Sequence, residues 1–305
     1  MSLDVFAVEG SWHVPHVKDI PNNALGESIR YGKALIDETA NIMGPQAENA
    51  EMRFSGNNLN CQSCHLISGQ KRYSAPFVGT IGEFPRFEKR ENVVGTVEDR
   101  INGCMERSMN GKKLAIDSKE MTSMVAYMKW LSSGIAVGEE IEGRGLPKIE
   151  FPDRAADPKA GQAVYERQCQ HCHGVNGEGT RRADSTDKGY LFPPLWGDDS
   201  YNVGAGMNRL LTAAQFIKSN MPFGATYENA ILTDEEAYDV AAYISSKPRP
   251  DKADKENDFP IKGTKPIDKA YPPYDDQFTQ EQHQYGPFKP IDDAKKAMKK
   301  KEAKK

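Results

Sequence analysis

Apolar positions recur at helical spacing in six stretches of this chain, and the six fall into two sets of three. In the first set, residues 25–43 carry Ile29, Leu35 and Ile36 on one face, and stretches at 96–108 and 118–131 follow, the latter containing Val125, Ala126 and Tyr127. The second set runs over 157–168 with Val164 and Tyr165, over 208–219, and over 233–245 with Val240, Ala241 and Tyr243. Asp157-Pro158 opens one of these helices, and Thr233 with Glu236 supplies a capping box for another. The pattern predicts an internal duplication in an all-α chain. Its boundaries are an extended N-terminal arm at 1–24, a first unit at 25–134, a linker at 135–157, a second unit at 158–248 and a Pro/Lys-rich extension at 249–305. The linker is rich in Gly, Pro and charge and is expected to cross the surface. The extension shows no helical periodicity and is expected to wrap the domains as extended chain, then fray.

Composition adds limits. Of the 305 residues, 38% are hydrophobic and 28% charged, and no apolar run reaches the length of a membrane span, which needs about 18 residues. The formal charge of −4 hides an asymmetry, because the tail from Ala294 holds seven lysines against Glu302. Such a run is expected to be solvated and disordered. No nucleic-acid partner is expected.

The chemistry stands in two copies of Cys-x-x-Cys-His, at Cys61, Cys64 and His65 and again at Cys169, Cys172 and His173. Cysteines at this spacing reach the two vinyl groups of a haem, and the adjacent histidine is aimed at the iron. A zinc site would need further ligands at its own spacing, and a redox pair has no use for the histidine. Two haem c groups are therefore expected. Four of the five cysteines are consumed by them, and Cys104 is left without a disulfide partner. Haem is attached to such motifs outside the bacterial cytoplasm, so a periplasmic protein is expected. The first residues show neither the basic nor the apolar region of an export signal, which is expected to have been removed or replaced. His13 and His16 lie in the N-terminal arm without an evident role.

The helix before Cys169 resembles the N-terminal helix of class I cytochromes c, so two such domains in tandem are implied. Each motif is followed by a Pro-apolar-x-Gly element, Pro76-Phe77-Val78-Gly79 and Pro194-Leu195-Trp196-Gly197. In such cytochromes a backbone carbonyl in this region accepts the hydrogen bond of the proximal histidine. The sixth ligand decides what each haem does. In the second unit Met221, followed by Pro222, is the favoured distal ligand, with Met207 as the weaker alternative. In the first unit the corresponding place is Ser108-Met109, and Met109 is the obvious guess. Cys104 stands five residues earlier; read from the residues alone, a lone cysteine on a helix is more often an inert core residue.

The two haem motifs, the string Arg100-Ile101-Asn102-Gly103-Cys104 and the segment Asn220-Met221-Pro222 together resemble the dihaem thiosulfate dehydrogenases, some of which also reduce tetrathionate. The resemblance spans roughly residues 25 to 250. It implies His65/Cys104 ligation of a catalytic haem and a relay haem on His173 and Met221. It also implies thiosulfate and tetrathionate as substrates, and a periplasmic electron partner such as another cytochrome c. Some relatives carry a lysine just before the distal methionine; this chain has Asn220 there, and Lys218 is one position too far back. Joining two dianions calls for cations, and Arg86, Lys89, Arg90, Arg100, Arg107, Lys112 and Lys113 cluster around Cys104 in sequence. The resemblance singles out Arg90 and Arg100 as catalytic, with Ser108 as a hydrogen-bond donor. Arg107 and Lys113 read more simply as a solvated helix face. The main alternative is a dihaem electron carrier without enzymatic activity; a dihaem peroxidase and the haem subunit of a multi-protein thiosulfate-oxidising system are further rivals.

Overall fold

The computed structural model describes residues 12–302. The first unit begins with α1 (Ala24–Asp37), capped by Asn23, whose side chain accepts from Gly26 N at 3.0 Å. The stretch expected as one helix over 25–43 is broken at Glu38, and α2 (Thr39–Met43) follows. Thr39 causes the break: fully buried, its hydroxyl donates back to Leu35 O at 2.6 Å and accepts from Cys61 N at 3.1 Å. A short turn, α3 (Leu66–Gly69), leads to a hairpin of β1 (Arg86–Glu88) and β2 (Val93–Gly95), paired antiparallel with Phe87 opposite Val94. Then come α4 (Val97–Arg107), capped by Thr96 with Asp99, and α5 (Lys119–Leu131), capped by Ser118.

The second unit repeats the plan. It comprises α6 (Pro158–Gln168), α7 (Gln170–His173), a small antiparallel pair of β3 (Thr180–Arg181) and β4 (Tyr190–Phe192), α8 (Leu210–Asn220) and α9 (Asp234–Ser245). Thr233 and Glu236 form the expected capping box. In each unit the first and last helices cross at a glycine. A Cβ on Gly32 of α1 would lie 1.9 Å from Ser123 O of α5, and one on Gly161 of α6 would lie 1.9 Å from Asp239 O of α9. Only glycine lets the backbones approach this closely, so the same crossing is built twice. Each unit encloses its own core, one around Leu35, Ile36, Met121 and Tyr127, the other around Tyr165, Leu210, Tyr238 and Val240.

A polar seam joins the units. Asn57 Nδ2 donates to Ser108 O at 2.9 Å and to Ser200 O at 3.1 Å, and Asn202 Nδ2 donates to Glu106 O at 2.9 Å. The end of α4 is thereby bonded to the loop after Trp196.

The extension departs from the expected extended chain. It wraps both units, but carries α10 (Gln280–Tyr285) and α11 (Lys289–Glu302), which takes in the lysine-rich segment as far as Glu302. One fully buried side chain, Ile291, anchors α11 in the second core beside Phe288, and Lys289–Asp293 and Lys296–Asp292 pairs support it along its exposed face. Residues 1–11 of the expected N-terminal arm lie outside the described residues; Trp12 packs on the first core, and His13 and His16 are exposed. No helix among the described residues is long and apolar enough to cross a membrane.

Candidate functional site

The first Cys-x-x-Cys-His segment is anchored at the α1–α2 break through Thr39, and it forms one wall of a cavity of about 270 Å³. Cys61, Cys64, His65 and Cys104 all line this cavity, together with Met105, Met109, Met124 and Met128. Burial pushes the Cys61 thiol up to about 11 and the Cys64 thiol up to about 12, so both are neutral sulfurs against an apolar wall.

His65 Nδ1 lies 2.6 Å from Ala75 O, the carbonyl immediately before Pro76. A carbonyl only accepts, so Nδ1 carries a proton and Nε2 is the ring nitrogen left to face a metal. The second motif repeats the device: His173 Nδ1 lies 2.8 Å from Pro193 O, the carbonyl before Pro194. Burial holds the His173 imidazole below its ordinary pKa, hence neutral. Both carbonyls stand where the Pro-apolar-x-Gly elements led us to expect them.

Cys104 is on α4, one turn after Arg100, whose Nη1 lies 3.0 Å from its sulfur. Burial pushes the Cys104 thiol up, but the Arg100 guanidinium, the His65 ring and Arg90 outweigh it and hold the pKa at about 6. The sulfur is a thiolate at neutral pH, the form that binds metal and attacks electrophiles. A histidine held through Nδ1 by a carbonyl, two neutral thiols and a thiolate facing one apolar cavity are the donors a covalently held haem requires, so the residues fit the group. Arg90 Nε is buried without a hydrogen-bond partner among the described residues, and Arg90 itself stands behind the residues that line the cavity.

The other predicted cations separate. Arg86 and Ser108 line the cavity with Arg100. Arg90 is held 3.9 Å from Asp258 of the extension. Lys89 is exposed, Lys112 sits over the Phe54 ring and Lys113 reaches only Glu106 at 3.9 Å, the solvated face expected for Lys113. Arg107 corrects the same expectation. It is buried, with Nη2 2.7 Å from Asp258 Oδ1, because the extension covers that face of α4. Sequence reading missed Asp258, and it missed Arg144, which comes from the supposed surface linker. Arg144 lines the cavity and pairs with Glu83 at 3.1 Å. The linker is drawn in because Tyr73 N donates to Gly143 O at 2.7 Å and Ala75 N to Gly145 O at 2.9 Å. Its Gly-Arg-Gly string was the available signal.

In the second unit Met221 is the C-cap of α8 and packs on the second core, whereas Met207, in the turn Gly206–Asn208, packs on the first. Lys218 Nζ is committed to Leu232 O at 2.7 Å and Asp234 at 2.8 Å.

Residues 51–137 match the family model described as SoxA/TsdA, cytochrome c domain, and residues 158–248 match cytochrome c. Two such domains carry two covalently bound haem c groups. The thiosulfate dehydrogenase of Allochromatium vinosum is 44% identical over 241 residues, covering 78% of this chain and 84% of the relative. That of Stutzerimonas stutzeri is 41% identical over 244 residues, 80% of this chain and 75% of the relative. The solved structure of thiosulfate dehydrogenase (TsdBA) from Marichromatium purpuratum in its as-isolated form superposes with a TM-score of 0.71 at 33% identity. It covers 79% of this chain, which spans half of that longer one. With its duplicated cytochrome c fold and identity of this order over more than three quarters of its length, the chain belongs to the thiosulfate dehydrogenase family.

Proposed function

We propose that this chain is a periplasmic dihaem enzyme that joins two thiosulfates into tetrathionate at a haem held by Cys61, Cys64, His65 and Cys104. We assign the second haem, on Cys169, Cys172, His173 and Met221, to relay. The observation that carries this reading is the Arg100–Cys104 contact at 3.0 Å inside the cavity that also holds the first haem motif. A pure electron carrier has no need of a thiolate paired with a guanidinium there. Met221 is preferred to Met207 because it shares the core of His173's unit.

Two unit charges 4 Å apart repel by about 4 kcal/mol at an effective dielectric of 20, and dianions multiply this. Arg100 and the uncommitted donor of Arg90 offset that repulsion, their planar forks matching sulfonate oxygens, whereas Arg86 is already paired with Glu83 and Glu88; Ser108 offers a further donor. The Cys104 thiolate then bonds to the outer sulfur of the first thiosulfate with loss of two electrons, leaving a cysteine S-thiosulfonate. A second thiosulfate attacks that outer sulfur; the bond to Cys104 breaks, tetrathionate leaves and the thiolate is restored. When bound, the two haems would supply the sink for the two electrons, one each, for delivery to an external acceptor such as another cytochrome c. The reverse sequence reduces tetrathionate. The test is thiosulfate-dependent reduction of an artificial acceptor by the purified holoprotein, run beside tetrathionate-dependent oxidation of a reduced dye. Absence of both rates would return the chain to the electron-carrier reading.

A further inference from the structure

The extension lies beyond both matched domain models, yet it places one carboxylate among the arginines of the first unit. Asp258 is buried and its two oxygens are already occupied. Oδ1 accepts from Arg107 Nη2 at 2.7 Å and Oδ2 accepts from the Tyr271 hydroxyl at 2.6 Å. Arg90 Nε stands 3.9 Å from Oδ2, within ion-pair range but too far for a hydrogen bond. The backbone fixes the arrangement, because Phe259 N donates to Arg90 O at 2.8 Å, and the Phe259 ring lies under the guanidinium at 5.7 Å.

We propose that Asp258 is a positioning residue of the catalytic centre: it neutralises Arg107 and, with the backbone bond from Phe259, holds Arg90 within ion-pair range without taking a hydrogen bond from its Nε, which stays free for an anionic substrate. Arg107 and Tyr271, bonded one to each oxygen, fix the carboxylate in an orientation that leaves Arg90 Nε outside hydrogen-bond range. The extension is then part of the active unit, delivering from 151 positions away in sequence a group that neither cytochrome domain supplies. The proposal rests on the functional reading only for the identity of the anion.

The test uses the full-length dihaem protein and two readouts. In redox titrations followed optically, Asp258→Asn removes a buried negative charge near the first haem and is expected to raise that haem's midpoint potential while the second stays in place. Asp258→Glu is expected to lie close to the parent. In steady-state kinetics, Asp258→Asn and Arg90→Gln are each expected to raise KM for thiosulfate at least five-fold, and the double variant to raise it no further than Arg90→Gln alone. Tyr271→Phe keeps the charge but frees a carboxylate oxygen for Arg90. It is expected to raise KM without moving either potential, and serves if Asp258→Asn does not fold. Equal shifts or none at the two haems, or additive KM effects in the double variant, would overturn the proposal and leave Asp258 as a structural clamp. An unchanged KM in Tyr271→Phe would do the same. If thiosulfate proves not to be the substrate, the potential measurement still decides the matter.

Discussion

The side-chain amide of Asn220 donates to the carbonyl oxygen of Tyr73 at 2.9 Å, across the boundary between the two units. Asn220 immediately precedes Met221, and Tyr73 stands two residues before Ala75, the acceptor of His65. Lys71 Nζ adds a bond to Ala225 O at 3.0 Å, and the Tyr73 and Tyr227 rings lie 4.0 Å apart. The loop behind His65 and the loop bearing Met221 are thus one bonded assembly. Asn220→Ala leaves a buried carbonyl without this donor and is expected to cost about 1–3 kcal/mol, measured as a lower urea midpoint. The same variant should alter the absorption signature of methionine ligation at the second haem. A spectrum and midpoint equal to the parent's would show that the seam does not hold Met221 in place.

Cys104→Gly is expected to leave both haems covalently attached, as judged by mass, because Cys61, Cys64, Cys169 and Cys172 are untouched. Thiosulfate turnover should fall by at least about 10³-fold, the order seen when a nucleophile is removed. Low-temperature EPR should lose a thiolate-ligated low-spin signal and keep the other haem's signal. Glycine within α4 costs about 1 kcal/mol of helix stability, too little to unfold the domain. Near-normal turnover would rule out the covalent role.

What could be read along the chain, and what could not, divides by distance. The caps at Asp157 and Thr233 and the two haem motifs are fixed by neighbours within a few residues, and the carbonyls before Pro76 and Pro194, 10 and 20 residues from their histidines, sit in a recurring Pro-apolar-x-Gly element; sequence shows them all. Cys104 could be read only through the specific string around it. Asp258 on Arg107, Arg144 on the cavity wall and Asn220 on Tyr73 were not legible, because each pairs groups far apart along the chain and nothing in the local pattern selects the partner. The helix over Lys289–Glu302 was missed for a related reason. Its stripe of Ile291, Ala294 and Met298 has helical spacing but little apolar bulk among so many lysines; it buries little more than Ile291, and ion pairs one turn apart support it.

In the second half of the proposed reaction, negative charge returns to the Cys104 sulfur as the second thiosulfate displaces it, and Arg100 Nη1, 3.0 Å away, is placed to stabilise that charge. Arg100→Gln should lower kcat by roughly 10²–10³-fold, the order for removing one preorganised donor. Mass spectrometry of thiosulfate-treated variant should then find Cys104 carrying the S-thiosulfonate. Arg100→Lys keeps the charge but loses the planar fork, and should recover only part of the rate. Loss of rate with unmodified Cys104 would move the role of Arg100 to the first half.

The extension carries its own pH dependence through Lys265. Its Nζ is buried and donates to Tyr271 O at 2.5 Å and Pro273 O at 3.0 Å. Burial pushes the amine down to about 8, with Lys262 adding to the effect. In the unfolded chain the same amine is hydrated and titrates near the ordinary lysine value of about 10.4. Between these values the unfolded chain holds a proton that the folded chain has released, so raising the pH through this window favours folding; below about 8 the folded state bears the full cost of burying the cation. Lys265→Met removes the titration while keeping the apolar stem. Its unfolding free energy in urea should therefore exceed the parent's most at pH 7, and the gap should narrow by on the order of 1–2 kcal/mol as the pH approaches 10. A gap independent of pH would mean that Lys265 stays charged in the fold, held by the carbonyls and by the Tyr271 and Tyr274 rings at 4.7 and 4.9 Å.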